Sequence, residues 1–173
     1  MAIANSSNFR TWAKPAAVAV LVTPAPLGSE VLLIERPGTM TEHAGQIACP
    51  GGRFDAAHDR TLWDTARRET REEVGVRLSL DMWRGALEPV YIPVTGYTIE
   101  PHLFYIVPKP RLLASSEVAA WHWVSIKDLE AVEEWVEERP QYPFAWGRVW
   151  GATARILSQL LRSPYLEFDG QSE

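Results

Sequence analysis

The segment Arg68-Glu69-Thr70-Arg71-Glu72-Glu73-Val74-Gly75-Val76 places the tightest limits on what this 173-residue chain can build. It closes a helical pattern expected over about 60–73, with Asp59 as the N-cap and Gly75 as the left-handed stop. Leu62, Ala66, Thr70 and Val74 recur every fourth residue and mark the stripe that faces a core. Beside that stripe, Glu69, Glu72 and Glu73 fall within roughly 100° of one another around the helix. Ionised carboxylates so placed repel: at an effective dielectric near 20, a pair about 4 Å apart costs on the order of 4 kcal/mol. A helix that only covers a sheet gains nothing from such crowding. A divalent cation removes the penalty, and an all-oxygen donor set suits Mg²⁺ or Mn²⁺. Arg68 is placed to turn back and fix one of the carboxylates. Glu72-Glu73 alone would read as a solvated face. The five specified residues of R-E-x-x-E-E-x-G together recur by chance only on the order of once per million start positions.

The rest of the chain frames this helix. Ala16 to Val22 and Val31 to Glu35 are β-type runs separated by the turn-rich segment 23–29. A glycine-rich connection from Pro37 to about Asp59 follows, long enough inside one domain to be read as functional. Further strands are expected near 84–92, 97–107 and 120–124, then an acidic helix over Ser125–Glu138 and a last amphipathic helix from about Phe144 to Arg162. The order suggests an α/β fold, a mixed sheet with helices on both faces. A loosely ordered start, 1–14, a single domain over 15–165 and a tail, 166–173, are the expected divisions.

Composition excludes some functions. The net charge of −5 and pI near 5.4 argue against a nucleic-acid binder and a polybasic membrane-surface protein. The apolar run 16–22 is too short to span a bilayer and lacks the flanks of a signal peptide. One cysteine, Cys49, makes neither an internal disulfide nor a cysteine-rich metal site, so a cytoplasmic setting is expected. The acidity concentrates between Lys127 and Arg139, with six acids against two bases. The four histidines show no paired ligand spacing. Trp146 and Trp150, one turn apart on the expected last helix, read first as core and otherwise as a pocket wall or the surface of a homodimer.

Gly52 to Val76 resembles the Nudix box, G-x5-E-x7-R-E-U-x-E-E-x-G-U, at Gly52, Arg68, Glu69, Glu72, Glu73, Gly75 and Val76. Thr70 replaces the usual aliphatic residue. The spacing also departs: the box's first acid falls on neither His58 nor Arg60, and the nearest acid is Asp59. Outside the box, Leu32-Leu33-Ile34-Glu35-Arg36, His43-Ala44-Gly45-Gln46-Ile47-Ala48-Cys49-Pro50-Gly51-Gly52, Pro93-Val94-Thr95-Gly96-Tyr97 and the stretch 150–157 are similar to the coenzyme A pyrophosphatases. Thr41 stands where that pattern has a basic residue and Cys49 where it has an aromatic.

The resemblance implies a Nudix-like α/β/α sandwich and metal-dependent hydrolysis of a small-molecule diphosphate. For coenzyme A it implies cleavage to 3′,5′-ADP and 4′-phosphopantetheine. It assigns Glu69 and Glu73 as metal ligands with Glu72 sharing, and leaves Arg68 to hold one of these carboxylates. Gly51 and Gly52 bring backbone close to the metal or the diphosphate, their alternative being an ordinary turn. Arg36 clamps a phosphate or is a strand-end surface arginine. Glu117 is a general base or extra ligand, or an exposed loop carboxylate. His43 touches substrate or packs its loop. Which carboxylate takes the proton, Glu72, Glu73 or Glu117, stays open. An ADP-ribose or dinucleotide pyrophosphatase and a catalytically silent nucleotide sensor are the alternative functions.

Overall fold

Val20 and Val22 alternate with Ala19 and Leu21 along one run, and all four are at most 3% exposed. A strand buried on both faces belongs in the middle of a covered sheet. The computed structural model describes residues 14–39 and 45–166 and places this run there. It is β1 (Lys14–Ala25), which turns at Pro26-Leu27 into β2 (Gly28–Glu35). β3 (Ile47–Ala48) and β4 (Gly51–Arg53) come next, then α1 (Leu62–Val74). β5 (Trp83–Ala86), β6 (Val90–Ile92), β7 (Tyr97–Tyr105), β8 (Ala120–Ser125) and α2 (Ile126–Val132) follow. The chain closes with β9 (Glu134–Val136), β10 (Arg139–Phe144), β11 (Gly147–Val149) and α3 (Gly151–Leu161).

The main sheet is mixed and has eight strands. β1 runs parallel to β7 from the Lys14–Tyr97 pair to the Val22–Tyr105 pair, and antiparallel to β2 and β4. One face of β1, with Ala17, Ala19 and Leu21, packs with Leu62, Ala66 and Val74 of α1. The other, with Val20 and Val22, packs with Leu129 of α2 and Ile156, Leu157 and Leu160 of α3. The result is the expected α/β/α sandwich. β9, β10 and β11 form a separate small sheet. Among the described residues no helix is long and apolar enough to cross a membrane.

Several expectations are corrected. The N-cap of α1 is Thr61, not Asp59: Thr61 and Asp64 form a reciprocal capping box that starts the helix at Leu62. Gly75 ends it as expected, at φ +73°. The acidic helix expected to reach Glu138 stops at Val132. Trp135 and Val136 favour a strand, Pro140 cannot donate to a helix, and Glu137 and Glu138 turn the chain at φ +49° and +62° into a hairpin. The last helix begins at Gly151, because Phe144 to Val149 form the β10–β11 hairpin. Trp146 and Trp150 are therefore not one helical turn apart. Trp146 stacks between His122 and Phe144, and Trp150 is the N-cap of α3. The strand expected over 84–92 divides into β5 and β6. Residues 1–13, 40–44 and 167–173 lie outside the described residues, and with them His43, Thr41, nearly all of the expected loose start and most of the tail.

Candidate active site

Residues 47–53, read from sequence as part of one long loop, carry two short strands. β4 lies antiparallel on β1, pairing Gly51 with Val18, Gly52 with Ala17 and Arg53 with Ala16. The two glycines answer to different crowding. A Cβ on Gly51 would stand 2.6 Å from Val18 Cα and collide with the Ala17 carbonyl, so this backbone sits on β1. A Cβ on Gly52 would stand 2.5 Å from Cδ of Glu69, so its space is taken by a carboxylate from α1.

That carboxylate belongs to a charged row on the edge of α1. Glu73, 1% exposed, accepts the Gly51 N–H at 2.9 Å and lies 3.3 Å from Arg36 Nη2. Burial pushes its carboxyl up to about 7, and the charges of Glu69 and Glu117 push the same way against the pull of Arg36 and the Gly51 N–H. Glu69 lies 2.8 Å from Arg68 Nη1; burial raises its pKa and Arg68 opposes the rise. Glu72 is mostly exposed, 3.4 Å from the same Arg68 nitrogen. Glu117, on the loop before β8, is exposed but close enough for its charge to raise both Glu69 and Glu73.

Arg68 is held from behind. Nε and Nη2 each donate at 2.9 Å to the two oxygens of Asp59, and Nη2 also donates to the Arg53 carbonyl at 3.1 Å. Asp59, its side chain 1% exposed, also accepts from the Thr65 hydroxyl and the Asp55 N–H. Arg68 beside it holds the Asp59 carboxyl down at about 2, so the pair stays ionised. Sequence reasoning missed this grip by making Asp59 a cap. The Thr61-x-x-Asp64 signature, which starts the helix two residues later, was the signal that Asp59 had another task.

Arg36, Gly51, Gly52, Glu69, Glu73 and Glu117 line one open groove of about 650 Å³. The groove continues past β4 onto the α3 side of the sheet, where Arg53, Tyr97 and Trp150 stand in its wall. Arg68 and Glu72 do not line it; Arg68 reaches it through its contact with Glu69, and Glu72 pairs with Arg68. Arg36 is engaged with Glu73 and the Gly51 carbonyl. His58, His102 and His122 stay off the groove. Cys49 lines it as a buried thiol that burial raises to about 12, which makes it a packed residue and not a nucleophile.

The donor set fits a hard divalent cation: every group is oxygen, and Gly52 keeps the space that Glu69 occupies clear. Among the described residues no three acidic, His or Cys side chains already form a closed cage. Glu69 and Glu73 instead hold arginines and a backbone N–H.

An α/β/α sandwich carrying a row of carboxylates on one helix, facing a glycine strand and an open groove, is the architecture of a hydrolase for phosphorylated small molecules. The family follows from comparison: the NUDIX domain matches residues 13–146, and the chain belongs to the Nudix hydrolases, which are pyrophosphohydrolases. Members of the family generally use divalent metal ions and act on small-molecule diphosphates. The chain is similar to an uncharacterized Nudix hydrolase, NudL, of Pectobacterium atrosepticum, with 30% identity over 154 residues, 83% of this chain and 78% of that one. It is 39% identical over 108 residues to the human mitochondrial coenzyme A diphosphatase NUDT8, over 59% of this chain and 44% of the human protein. Among solved structures, a MutT/nudix family protein from Enterococcus faecalis superposes with a TM-score of 0.65 at 19% identity, over 89% of this chain and 63% of that one. The NUDIX domain of Shewanella oneidensis NrtR complexed with ADP ribose gives 0.61 at 18% identity, over 89% of each. At these identities the structural matches speak for the fold alone.

Proposed function

We propose that residues 15–165 form one catalytic domain that hydrolyses the diphosphate linkage of coenzyme A or its derivatives with Mg²⁺ or Mn²⁺. The observation that carries the reading is the continuity of the groove, from Glu69 and Glu73 across Gly52 to a wall of Arg53, Tyr97 and Trp150. The diphosphate then lies at the carboxylates and the rest of the substrate lies along the wall. The human coenzyme A diphosphatase relative and the sequence pattern around residues 32–52 support the choice of substrate.

In this reading Glu69 and Glu73 are the principal ligands and Glu72 shares the coordination. A divalent ion held there would neutralise diphosphate oxygens and acidify a water. Arg68, anchored by Asp59, fixes the orientation of Glu69. Arg36 moves from Glu73 towards a phosphate oxygen as the anionic substrate enters. Glu117 faces the same site from the opposite loop, placed to accept the proton of the attacking water. Water adds to one phosphorus, the bridging P–O bond breaks, and coenzyme A gives 3′,5′-ADP and 4′-phosphopantetheine. A cytoplasmic setting belongs with this reading, as a lone inert thiol places no demand on an oxidising compartment.

The test is a substrate panel with the purified protein and either ion: coenzyme A, acetyl-coenzyme A, ADP-ribose, a dinucleoside polyphosphate and a nucleoside triphosphate. Coenzyme A or its acyl form is expected to show the highest kcat/KM. Faster cleavage of ADP-ribose or a triphosphate overturns the substrate assignment, and binding without any turnover overturns the enzymatic one.

A further inference from the structure

The last carbonyls of a helix have no partner inside it, and those of α1 find theirs on the loop that carries Glu117. Glu73 O accepts from the Ser115 N–H at 2.9 Å, and Val74 O from the Leu113 N–H at 2.8 Å. Leu113 lies tight on the helix stop: a Cβ on Gly75 would stand 3.0 Å from Leu113 Cβ. The loop is thus docked on the end of the helix that bears the carboxylates. Its far side is fixed as well, by the Ala119 N–H, which donates to Glu35 O at 2.8 Å, and by Val118, which packs in the core with α1. Between those anchors Ser116 and Glu117 form an exposed turn. Ser115 closes it. Its Oγ accepts from the Glu117 N–H at 3.2 Å, and its carbonyl accepts from the Val118 N–H at 3.2 Å. A serine hydroxyl that takes the N–H two residues on makes a local turn that alanine cannot make.

We infer that Ser115 is a positioning residue for hydrolysis: with one N–H and one hydroxyl it couples the backbone of Glu73 to that of Glu117, and so sets Glu117 against the carboxylates of α1. Both bonds start on one residue, so Ser115 alone joins the Glu73 carbonyl to the Glu117 amide. Glu117 lines the groove with Glu69 and Glu73, and its charge reaches both. Ser115 does not line the groove, so it acts through Glu117 and not on the substrate. A carboxylate that takes the proton of an attacking water has to stand within hydrogen-bond reach of it, and a misplacement of about 1 Å costs up to roughly a hundredfold in rate. Glu117 sits on an exposed turn, where a side chain explores several rotamers, and fixing its backbone removes part of that freedom. Folding, in contrast, hardly depends on the hydroxyl, because water can replace it at an exposed amide. The inference rests on the hydrolase reading for the task of Glu117, and goes beyond it in naming what holds Glu117 in place.

Ser115→Ala removes the hydroxyl and leaves both backbone bonds of residue 115 in place, so its Tm is expected within about 4 °C of wild type. Two readouts follow. In the metal-free protein, ¹⁵N relaxation should give the Glu117 amide an order parameter near the rigid value of about 0.85, falling below about 0.6 in Ser115→Ala. Ser115→Thr, which keeps the hydroxyl, should restore it. With Mn²⁺ and coenzyme A, Ser115→Ala should lower kcat about tenfold with KM within about twofold, and Ser115→Thr should recover most of the loss. In a Glu117→Gln background the same Ser115→Ala change should cost no more than about twofold, because the two residues act as one unit. An unchanged order parameter or an unchanged kcat in Ser115→Ala overturns the inference, and so does a full tenfold loss that persists beside Glu117→Gln. Wild-type rates in Glu117→Gln itself take Glu117 out of the reaction, and the inference with it, while the hydrolase reading stands. If coenzyme A is not cleaved, the substrate assignment alone is lost, and the variants are compared on the diphosphate of the panel that is cleaved fastest. Absence of turnover on every compound overturns the enzymatic reading and the inference together.

Discussion

Substituting each of the adjacent glycines by alanine separates function from folding within one dipeptide. In Gly52→Ala the new methyl would sit 2.5 Å from Glu69 Cδ and 2.6 Å from Oε1. Restoring an ordinary contact moves that carboxylate by about 1 Å, and displacements of this size at a reacting centre cost roughly a hundredfold in rate. The atom that must yield is the end of a flexible side chain, and Gly52 lacks the positive φ that would strain an alanine. The stability cost is therefore under about 1 kcal/mol, a fall in Tm of no more than roughly 4 °C for a chain of this size. In Gly51→Ala the methyl meets the backbone of Ala17 and Val18, which cannot yield without opening the β1–β4 pairing. Overpacking of that kind costs about 1–3 kcal/mol, roughly 2–12 °C. Scanning calorimetry and initial rates with Mn²⁺ on both proteins make the comparison. Gly52→Ala should lose activity out of proportion to its stability, with a weakened response to added metal ion. If it keeps rates within twofold of wild type, or melts as early as Gly51→Ala, the view that Gly52 exists to seat the Glu69 carboxylate is wrong.

Three further outcomes are expected. Glu73→Gln should lower kcat by roughly 10²- to 10⁴-fold, as for loss of a group that manages charge or protons in the transition state. Burial already disfavours the Glu73 charge, so Tm should move by only a few degrees; unchanged turnover would remove Glu73 from the site. Asp59→Asn breaks the two-pronged hold on Arg68, and should reduce activity about 10- to 100-fold and stability by about 2 kcal/mol. Urea denaturation and initial rates check it, and wild-type rates would mean that Arg68 needs no anchor. Arg162, hydrogen-bonded to Glu133, holds that carboxyl down at about 2, with help from the Tyr142 hydroxyl. A carboxylate lowered on folding stabilises above its unfolded pKa of about 4.3, and the gain is lost as pH falls from about 5 to about 2. Arg162 is half exposed, so screening reduces the gain to about 1–2 kcal/mol. The stability gap between wild type and Glu133→Gln, measured in urea, should be present at pH 7 and close by pH 2; a constant gap would refute the linkage.

Much of the molecule is legible in local patterns. The i,i+4 stripe of Leu62, Ala66, Thr70 and Val74 and the stop at Gly75 are where a period of 3.6 and a left-handed cap put them. The doubly buried run of β1 announces a covered sheet. Errors fall where long-range pairing competes with local preference. Glu133 to Glu138 has a helical composition, but 134–136 pair with 139–141 in a hairpin, and Glu133 is drawn to Arg162, 29 residues away.

By itself the sequence determined the family, the helix that bears the carboxylates, and the crowding of Glu69, Glu72 and Glu73 on one face. Those features follow from residue types at fixed short spacings, which a helix converts directly into geometry. Tertiary structure alone decided that Gly52 makes room for Glu69, that Asp59 grips Arg68 instead of capping, and that Arg36 pairs with Glu73. It also decided that Arg53 and Lys14 meet over the ring of Tyr97. Each of those contacts joins residues from separate local segments; the register of β4 on β1 sets where Gly52 lies, and the registers of β4 and β7 on β1 bring Arg53 and Lys14 to Tyr97. A register is a property of the packed sheet, shared among strands far apart in the chain, and no short window of sequence contains it.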